Sequence, residues 1–459
     1  MRDKNNNKSV NIQNGQNDNA LIFRIHKIKV KFVTFAQILY DKVSSQRNKK
    51  KIINDPVFGF ITVQSDLVFD LMEHPWLQRL RRIKQLGLSY LVYPGANHTR
   101  FEHTLGAVHL MRQTISSLRL KGHTITGEEA EAATIAILLH DIGHGPFSHV
   151  LENSLVDIGH ENLSSLLIRN LNDQFGNRLE PALEIFENRY PKKFLHQLVS
   201  GQLDMDRLDY LARDSFYTGV AEGVVGIDRI IKMLEVHDDQ LVVEEKGVYS
   251  IEKFLIARRL MYWQVYLHKT VLSADAQLLN LLRRARELVA AGEGLFATPA
   301  LSLFLKHSFT ASDFENNIVI DDKGILEHFV SLDDTDIFAS VKAWQNHPDF
   351  TLSYLARGLT ERRLFAARLM QKPMPRKELM GLKSRVCQQL ELDPSLADYF
   401  VVHKGISNSA YSELTGNINI IDKHGRIKDI RQASDINLSV LTKLVLKFFV
   451  SYPKELVFN

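Results

Sequence analysis

Hydrophobic residues recur at helical spacing along most of the chain from about residue 55 onwards. Three stretches show this pattern most clearly: 66–87, which ends at a glycine, 99–120, and 127–141. The last turn of 127–141 is hydrophobic on nearly every side, so we expect this helix to be buried. Further helical patterns continue to about residue 290. They are interrupted at 237–250, which predicts a small β-hairpin with a Lys-Gly turn.

The pattern changes in the C-terminal part. Residues 296–380 combine short helical patterns with loops, and 382–392 again has helical spacing. In 412–434 the hydrophobic residues alternate around Asp-Lys-His-Gly, which is typical of a β-hairpin. The stretch 438–452 fits either a helix or a strand. We therefore expect a mainly α protein with small β-hairpins and a mixed α/β C-terminal region.

Charge is distributed unevenly along the 459 residues. The formal net charge is +4, but residues 1–51 contain 12 Lys and Arg against 3 Asp, so the remainder is acidic. Residues 1–48 are polar and basic, which predicts a disordered extension. Residues 50–295 would then form the main helical domain, and 296–459 a C-terminal region. Because the positive excess lies in the extension, the basic pI alone does not indicate nucleic-acid binding.

Cysteine content and hydropathy exclude two classes of protein. The single cysteine, Cys387, excludes a disulfide framework and a cysteine-ligated zinc site. No hydrophobic run approaches the roughly 18–20 residues that a membrane-spanning helix requires. We expect a cytoplasmic protein that does not span a membrane.

The stretch LLHDIGHGPFSHVLE (138–152) concentrates histidines and acids directly after a hydrophobic helix. It either forms a site or is a polar turn that caps a core helix. Neighbouring helical residues point about 100° apart, so His140 and Asp141 can share an ion only near a helix end. A divalent ion needs further ligands. His103 and Asp206, on predicted amphipathic helices, are the candidates, although a single buried histidine is more often an ordinary core residue.

Six motifs along residues 50–290 carry a resemblance to a known family. They are NDPVFG (54–59), QRLRRIKQLG (78–87), YPGANHTRFEHTLG (93–106), HDIGHGPFSH (140–149), HE (160–161) and DMDRLDYLARD (204–214). In order and spacing they resemble the HD-domain phosphohydrolase superfamily. More narrowly, they resemble the deoxynucleoside triphosphate (dNTP) triphosphohydrolases, in the branch of the vertebrate sterile-alpha-motif and HD-domain enzymes. No sterile-alpha-motif domain precedes the HD region in this sequence, and the resemblance weakens beyond residue 300.

The resemblance implies an HD-domain helical core in which His103, His140, Asp141 and Asp206 bind a divalent metal ion. Two imidazoles and two carboxylates suit iron, manganese, zinc or magnesium and do not select among them. The implied reaction splits a dNTP into a deoxynucleoside and inorganic triphosphate. Water attacks the α-phosphorus, the 5′-oxygen leaves, and the metal polarises the α-phosphate or activates the water.

Four catalytic residues are implied beside the metal ligands. His149 would protonate the leaving oxygen. Glu152, three residues later, could orient His149 if both lie on one helix. His144 and His160 would contact the phosphates or position the water. The alternative for His160 and its neighbour Glu161 is an ordinary solvent-exposed pair.

Seven substrate contacts are also implied. They are Gln85, Arg100, Arg207, Tyr210, Asp214, Arg258 and Tyr266. The three arginines would neutralise the triphosphate, and Arg207 stands where the family commonly has lysine. The two tyrosines would pack on the sugar and base, where one could exclude a ribose 2′-hydroxyl. Gln85 and Asp214 would hydrogen-bond the sugar 3′-OH. Core packing of the tyrosines and a surface ion pair of Arg258 are the alternatives.

The vertebrate branch also implies an activating guanine nucleotide, GTP or dGTP, at a subunit interface. The positions that resemble this site are Lys51, Asn54, Glu73, Gln78 and Arg81, with Glu73 where the family commonly has aspartate. A carboxylate beside an arginine can form paired hydrogen bonds with a guanine edge. The sequence therefore predicts a homo-oligomer, a dimer or tetramer, in which residues 296–459 contribute to assembly or regulation. The alternative is an ordinary basic helix face.

Two other functions stay open. One is hydrolysis of a different nucleotide phosphoester, against which the match at the substrate positions argues. The other is a nucleotide sensor or nucleic-acid-binding module without catalysis, against which the intact set of metal ligands argues.

Overall fold

The protein is described by a computed structural model that covers residues 51–455 except 153, 409–415, 439–440 and 442. The side chains of residues 148, 149 and 408 also lie outside the described part. The predicted extension 1–48 is therefore outside the described residues, and so are short parts of the 412–434 and 438–452 stretches.

Helices form most of the regular structure, as the sequence predicted. They are α1 (Asp66–Glu73), α2 (Pro75–Gln78), α3 (Arg100–Leu120), α4 (Gly127–Leu139), α5 (Ser148–Leu151), α6 (His160–Gln174), α7 (Glu180–Phe186), α8 (Lys193–Val199), α9 (Met205–Thr218), α10 (Ile227–Met233), α11 (Val248–Met261), α12 (Lys269–Ala290), α13 (Pro299–Lys306), α14 (Ala311–Glu315), α15 (Ile325–Phe329), α16 (Asp334–Trp344), α17 (Phe350–Thr360), α18 (Arg376–Gln389), α19 (Ala397–Phe400) and α20 (Ile430–Ala433). A π-helical turn, Tyr262–Tyr266, separates α11 from α12. No helix in the described ranges is long and apolar enough to cross a membrane.

The strands form small sheets around this helical body. They are β1 (Lys51–Asp55), β2 (Gly59–Val63), β3 (Val156–Asp157), β4 (Leu234–His237), β5 (Gln240–Glu244), β6 (Phe309–Thr310), β7 (Val319–Ile320), β8 (Lys323–Gly324), β9 (Ala366–Met370), β10 (Val402–Asn408), β11 (Asn419–Ile421), β12 (Ile427–Asp429) and β13 (Val445–Tyr452). The largest sheet has the order β12-β11-β5-β4, with β11 parallel to β5. An antiparallel sheet of order β10-β13-β9 lies in the C-terminal region.

The core centres on α3, which packs against α4 and α9. Capping boxes start α3, at Thr99 and Glu102, and α4, at Thr126 and Glu129. Every residue of α4 from 132 to 139 is buried, as its hydrophobic last turn predicted. One continuous hydrophobic cluster extends from β2 through α17 to β13. It crosses the predicted boundary between 295 and 296, so that boundary stays a prediction.

The stretch 66–87 does not form one helix. It is broken at His74, which has an extended backbone (ψ 137°) before Pro75. Proline disfavours helical geometry in the residue before it and is well tolerated at the first helical position, so α1 ends and α2 begins here. The chain then continues in two short 3-10 turns, Arg79–Arg82 and Gly87–Leu91.

The first predicted hairpin exists, but its turn was placed wrongly. The turn lies at Asp238 and Asp239, which have φ of 47° and 60°, and joins β4 to β5. Two consecutive residues with positive φ are the geometry that suits the twist of a tight hairpin, and aspartate tolerates it. The predicted Lys246-Gly247 turn instead lies in a 3-10 turn before α11.

The remaining predictions for the C-terminal region are confirmed or decided by the structure. The Asp-Lys-His-Gly hairpin joins β11 to β12. The helix predicted at 382–392 begins earlier, directly after Pro375, and ends at Gln389. The stretch 438–452 ends in a strand, β13, which lies in the centre of its sheet.

Candidate active site

Four side chains from three helices converge at the centre of the molecule. His103 comes from α3, His140 and Asp141 follow the end of α4, and Asp206 lies in the first turn of α9. The Nε2 atom of His103 is 3.2 Å from Nε2 of His140 and 3.2 Å from Oδ1 of Asp206. Asp141 lies 3.5 Å from His140 Nε2 and 3.7 Å from His103 Nε2. The structure therefore brings together the four predicted metal ligands.

Both imidazole rings are held from outside the cluster through their Nδ1 atoms. His140 uses Nδ1 to donate to the carbonyl oxygen of Ile137, at 2.6 Å, and His103 uses Nδ1 to donate to Asp209, also at 2.6 Å. Their Nε2 atoms then face one another and the two carboxylates. Two ring nitrogens beside two carboxylates need a cation between them, either a proton or a metal ion. The donor set of two nitrogens and two carboxylates fits a divalent metal ion.

The turn after α4 is held so that His140 and Asp141 can point inwards. Ser164 on α6 accepts a hydrogen bond from the backbone N–H of Gly143, at 3.0 Å, and donates one to the carbonyl oxygen of His140, at 2.8 Å. A Cβ atom at Gly143 would lie 2.3 Å from the carbonyl oxygen of His160. The glycine therefore permits the close approach of α6 that positions the turn.

A buried network orients His103 from behind, and sequence reasoning missed it. Asp209 accepts the His103 Nδ1 bond and two bonds from Arg213, whose third nitrogen donates to Asp55 at 2.8 Å. A carboxylate behind a metal-binding histidine orients the ring and makes it a stronger ligand. The available signal was the position of Asp209 on the hydrophobic face of α9, where an unpaired acid is costly.

Electrostatic interactions keep both ligand carboxylates ionised. Burial alone would raise the pKa of both carboxyl groups. The nearby histidines instead lower the pKa of Asp206, and His140 and Arg100 lower the pKa of Asp141 well below its usual value. Burial would lower the pKa of His103, but its bonds to Asp206 and Asp209 raise it to about 10. A bound metal ion must therefore displace a proton from the histidine pair.

A second cluster of titratable side chains lies next to the first. The ring of His144 stacks on that of His160 at a centroid distance of 3.9 Å, and His144 Nε2 is 3.2 Å from Asp141. Burial lowers the pKa of His144 well below its usual value. Burial also disfavours charged His160, but Glu152 raises its pKa overall. The stacked pair therefore combines a neutral imidazole with one that favours a proton.

Glu152 contacts His160 in the described part of the chain, and its expected pairing with His149 stays a prediction. The sequence paired it with His149 on one helix, but α5 ends at Leu151, before Glu152. Its carboxylate accepts a hydrogen bond from Nδ1 of His160 at 3.0 Å. The side chain of His149 lies outside the described residues. The role of His149 as proton donor therefore stays a prediction, and in the described part Glu152 orients His160.

Both clusters lie at the wall of one cleft of about 900 Å³. This volume is in the range of sites for nucleotide-sized ligands. Six of the seven predicted substrate residues line the cleft: Gln85, Arg100, Arg207, Tyr210, Asp214 and Tyr266. The seventh, Arg258, is not among the described residues that line the cleft. It is buried, and it donates to Gln202 at 3.0 Å rather than forming the surface ion pair considered as its alternative.

The cationic residues of the cleft are held by acids. Arg100 donates to Asp141 at 2.6 Å, and Arg207 pairs with Asp204, the buried residue that caps α9. The Nε atoms of Arg100 and Arg207 are buried without a hydrogen-bond partner within the described part of the chain. These donors are available to an anionic ligand.

The tyrosine end of the cleft is built around Asp214. One carboxylate oxygen accepts from His98 and the other from the hydroxyl of Tyr266, each at 2.7 Å. The rings of Tyr210 and Tyr266 meet edge to face at 6.0 Å. Gln85 Oε1 is buried with no partner among the described residues. This end presents aromatic surface and hydrogen-bond acceptors, which suit an uncharged part of a ligand.

The five predicted activator-site residues lie on four elements. Lys51 and Asn54 are exposed on β1, whereas Glu73 ends α1 and Gln78 ends α2. Arg81 donates to Gln78 at 2.8 Å and lies 3.7 Å above the Phe101 ring. Gln78 also donates to the carbonyl oxygen of Met72 at 2.7 Å. The pairing of Gln78 with Arg81 leaves their role in nucleotide binding a prediction.

Comparison with known proteins gives matches over both halves of the main domain. The model of the HD domain matches residues 100–214, and that of the HD-associated region matches residues 225–293. The crystal structure of a phosphohydrolase from Bacteroides thetaiotaomicron is 52% identical in sequence, with a TM-score of 0.84. The match covers 88% of this chain and 99% of that one.

Two curated relatives extend the comparison. An uncharacterized protein of Bacillus subtilis is 32% identical over 428 residues, which cover 89% of this chain and 94% of that protein. A Dictyostelium discoideum protein named as a homolog of the deoxynucleoside triphosphate triphosphohydrolase SAMHD1 is 30% identical over 271 residues. That match covers 55% of this chain and 52% of the Dictyostelium protein.

Proposed function

Because the chain belongs to the HD-domain phosphohydrolase family, we propose that it hydrolyses dNTPs to deoxynucleosides and inorganic triphosphate. The observation that carries this proposal is one cleft lined by two kinds of side chain. One kind is the metal-ligand cluster with two arginines that have unused donors, which suit a triphosphate. The other kind is the tyrosines and hydrogen-bond acceptors, which suit a deoxynucleoside. The Dictyostelium relative's name supports the same substrate class.

A divalent ion bound by His103, His140, Asp141 and Asp206 would supply Lewis acidity at the α-phosphate. The protein's own contribution there is charge and position. Arg100 would compensate the negative charge of the triphosphate while Asp141 holds its guanidinium in place. The Nε atoms of both cleft arginines have no partner in the described part of the chain, so a movement of these side chains towards a phosphate would give them one.

Three histidines, His144, His160 and His149, would each have a separate role in the reaction. His144 is held neutral by burial and lies 3.2 Å from Asp141, where its ring would help to position the attacking water. His160, held by Glu152, favours the protonated form and can donate to a phosphate oxygen. Protonation of the leaving 5′-oxygen is assigned to His149 by the resemblance of its motif to the family.

The nucleoside-binding residues would select deoxyribose. Asp214, fixed by His98 and Tyr266, can still accept a hydrogen bond from the sugar 3′-OH, since each carboxylate oxygen has two lone pairs. Gln85 offers a second acceptor. The Tyr210 ring against the 2′ carbon would leave no room for a ribose hydroxyl, so ribonucleotides would bind more weakly.

The test is product analysis on the metal-loaded protein with each dNTP and each ribonucleotide. We expect release of deoxynucleoside and triphosphate, little turnover of ribonucleotides, and loss of turnover in Asp206→Ala. Asp173→Asn, at an exposed position of α6, is the matched control and should keep wild-type activity. Release of monophosphate and pyrophosphate, or no release at all, would refute the proposal.

We also propose that the enzyme is a cytoplasmic homo-oligomer, activated by a guanine nucleotide bound near Gln78 and Arg81. The exposed guanidinium of Arg81 supports it, since an arginine can form paired hydrogen bonds with a nucleotide. Turnover should rise when GTP is added, and the rise should be lost in Arg81→Ala but kept in Arg178→Ala, an exposed control. Equal turnover with and without GTP would exclude this regulation and leave the hydrolytic activity unaffected.

A further inference from the structure

Asp275 lies in the wall of the cleft but has no role in the chemistry described above. It is on α12, one turn after Val271, and both residues line the cleft together with Tyr262 and Tyr266. Its side chain is partly buried. Within the described part of the chain, no hydrogen bond and no ion pair involves its carboxylate. Asp275 is therefore an unused acceptor facing the ligand space.

The surroundings of Asp275 favour a ligand that donates hydrogen bonds. Burial raises the pKa of Asp275 to about 7, and the charge of Lys404 opposes this only in part. A carboxylate in such a place gains when N–H groups replace the water that it has lost. A bound ligand with suitable donors would supply that interaction.

The chemistry of a dNTP leaves one portion for Asp275 to contact. An acid repels the triphosphate, which is matched by the metal cluster and the arginines of the cleft. The sugar hydroxyl is matched by Asp214 and Gln85. The nucleobase is the remaining portion, and it carries N–H donors on its edge.

We propose that Asp275 reads the nucleobase and gives the enzyme a preference for guanine. This inference rests on the proposed dNTP hydrolysis. Guanine presents two adjacent donors, N1–H and N2–H, which match the two oxygens of one carboxylate in a bidentate pair. Adenine and cytosine present a donor beside an acceptor, and thymine has its single donor between two carbonyl groups. Above the raised pKa of Asp275, where its carboxyl group is ionised, it would therefore disfavour these three bases.

The experiment compares kcat/KM for dGTP and dTTP in the wild type, Asp275→Asn and Asp275→Ala. We expect the wild type to prefer dGTP by about tenfold to a hundredfold, the discrimination typical of a bidentate contact to a base. Both variants should bring the ratio close to one, mainly through dGTP, while dTTP turnover is retained. Asp238→Asn, in the β4–β5 turn with its side chain 89% exposed, is the matched control.

Equilibrium binding of dGTP and dTTP to the same variants separates this inference from the proposed function. A wild-type protein that hydrolyses all four dNTPs equally, or variants that keep the wild-type ratio, would overturn the role of Asp275 and leave the hydrolysis standing. Binding with a guanine preference that Asp275→Asn removes, without triphosphate release, would support the inference and refute the reaction. Binding of neither nucleotide would overturn both.

Discussion

Replacement of Asp209 by asparagine should weaken metal binding, although Asp209 is not one of the four predicted metal ligands. Its carboxylate is fully buried and accepts from His103 at 2.6 Å and from Arg213 at 3.0 and 2.9 Å. Asparagine keeps the shape and one acceptor but removes the charge. Arg213 would then rely on Asp55 alone for compensation.

Two separate costs follow from this geometry. Removing one partner of a buried ion pair costs about 3–5 kcal/mol, and the retained acceptor places the variant near the lower value. Loss of the carboxylate behind a metal-binding histidine lowers metal affinity by about 10–100-fold. The first cost applies with or without metal, whereas the second appears only in metal binding.

The assay is therefore a pair of measurements on Asp209→Asn and on the exposed control Asp173→Asn. Urea unfolding in the presence of a chelator gives the first cost, and metal titration against a competing chelator gives the second. The reasoning predicts changes in both for Asp209→Asn and in neither for the control. A variant that is less stable but binds metal with wild-type affinity would refute the orienting role of Asp209.

The remaining predictions concern three other positions. Glu152→Gln should lower kcat with little change in KM, because His160 loses the charge that favours its protonated form; an unchanged kcat would contradict the pairing. Gly106→Ala should lower the melting temperature by a measurable amount, although alanine normally favours a helix by about 1 kcal/mol. Its Cβ would lie 1.8 Å from the fixed Asp209 carboxylate. Burial raises the pKa of Asp334 to about 7, so the folded state retains a proton that the unfolded state loses above about pH 4. The wild type should therefore lose stability relative to Asp334→Asn as the pH rises from 4 to 7, by at most about 4 kcal/mol in urea unfolding; a pH-independent difference would be inconsistent with this shift.

The ligand cluster was within reach of sequence reasoning because its residues have a distinctive chemistry. His140 and Asp141 are adjacent in sequence, and His103 and Asp206 are polar residues on hydrophobic helix faces, where a plain core residue would be expected. The mainly α fold followed from hydrophobic spacing. The helices could be predicted from single segments of the chain, whereas the set of four ligands from three segments followed from the resemblance of the motifs to the family.

Features that depend on contacts between distant segments were not accessible in this way. Arg213 and Asp55 are 158 residues apart, and no local pattern predicts their hydrogen bond. The hydrogen bond from His160 to Glu152 joins two different elements, so helical spacing does not predict it. The helix break at His74 could have been predicted, since a proline follows it, but hydrophobic periodicity continued across it.

The most direct test of dNTP hydrolysis is to run the reaction with the metal-loaded protein in ¹⁸O-labelled water and to identify the products and the position of the label. Attack of water on the α-phosphorus predicts inorganic triphosphate with one ¹⁸O atom on a terminal phosphate and an unlabelled deoxynucleoside. Label in the 5′-hydroxyl of the deoxynucleoside, or formation of monophosphate and pyrophosphate, would contradict the account.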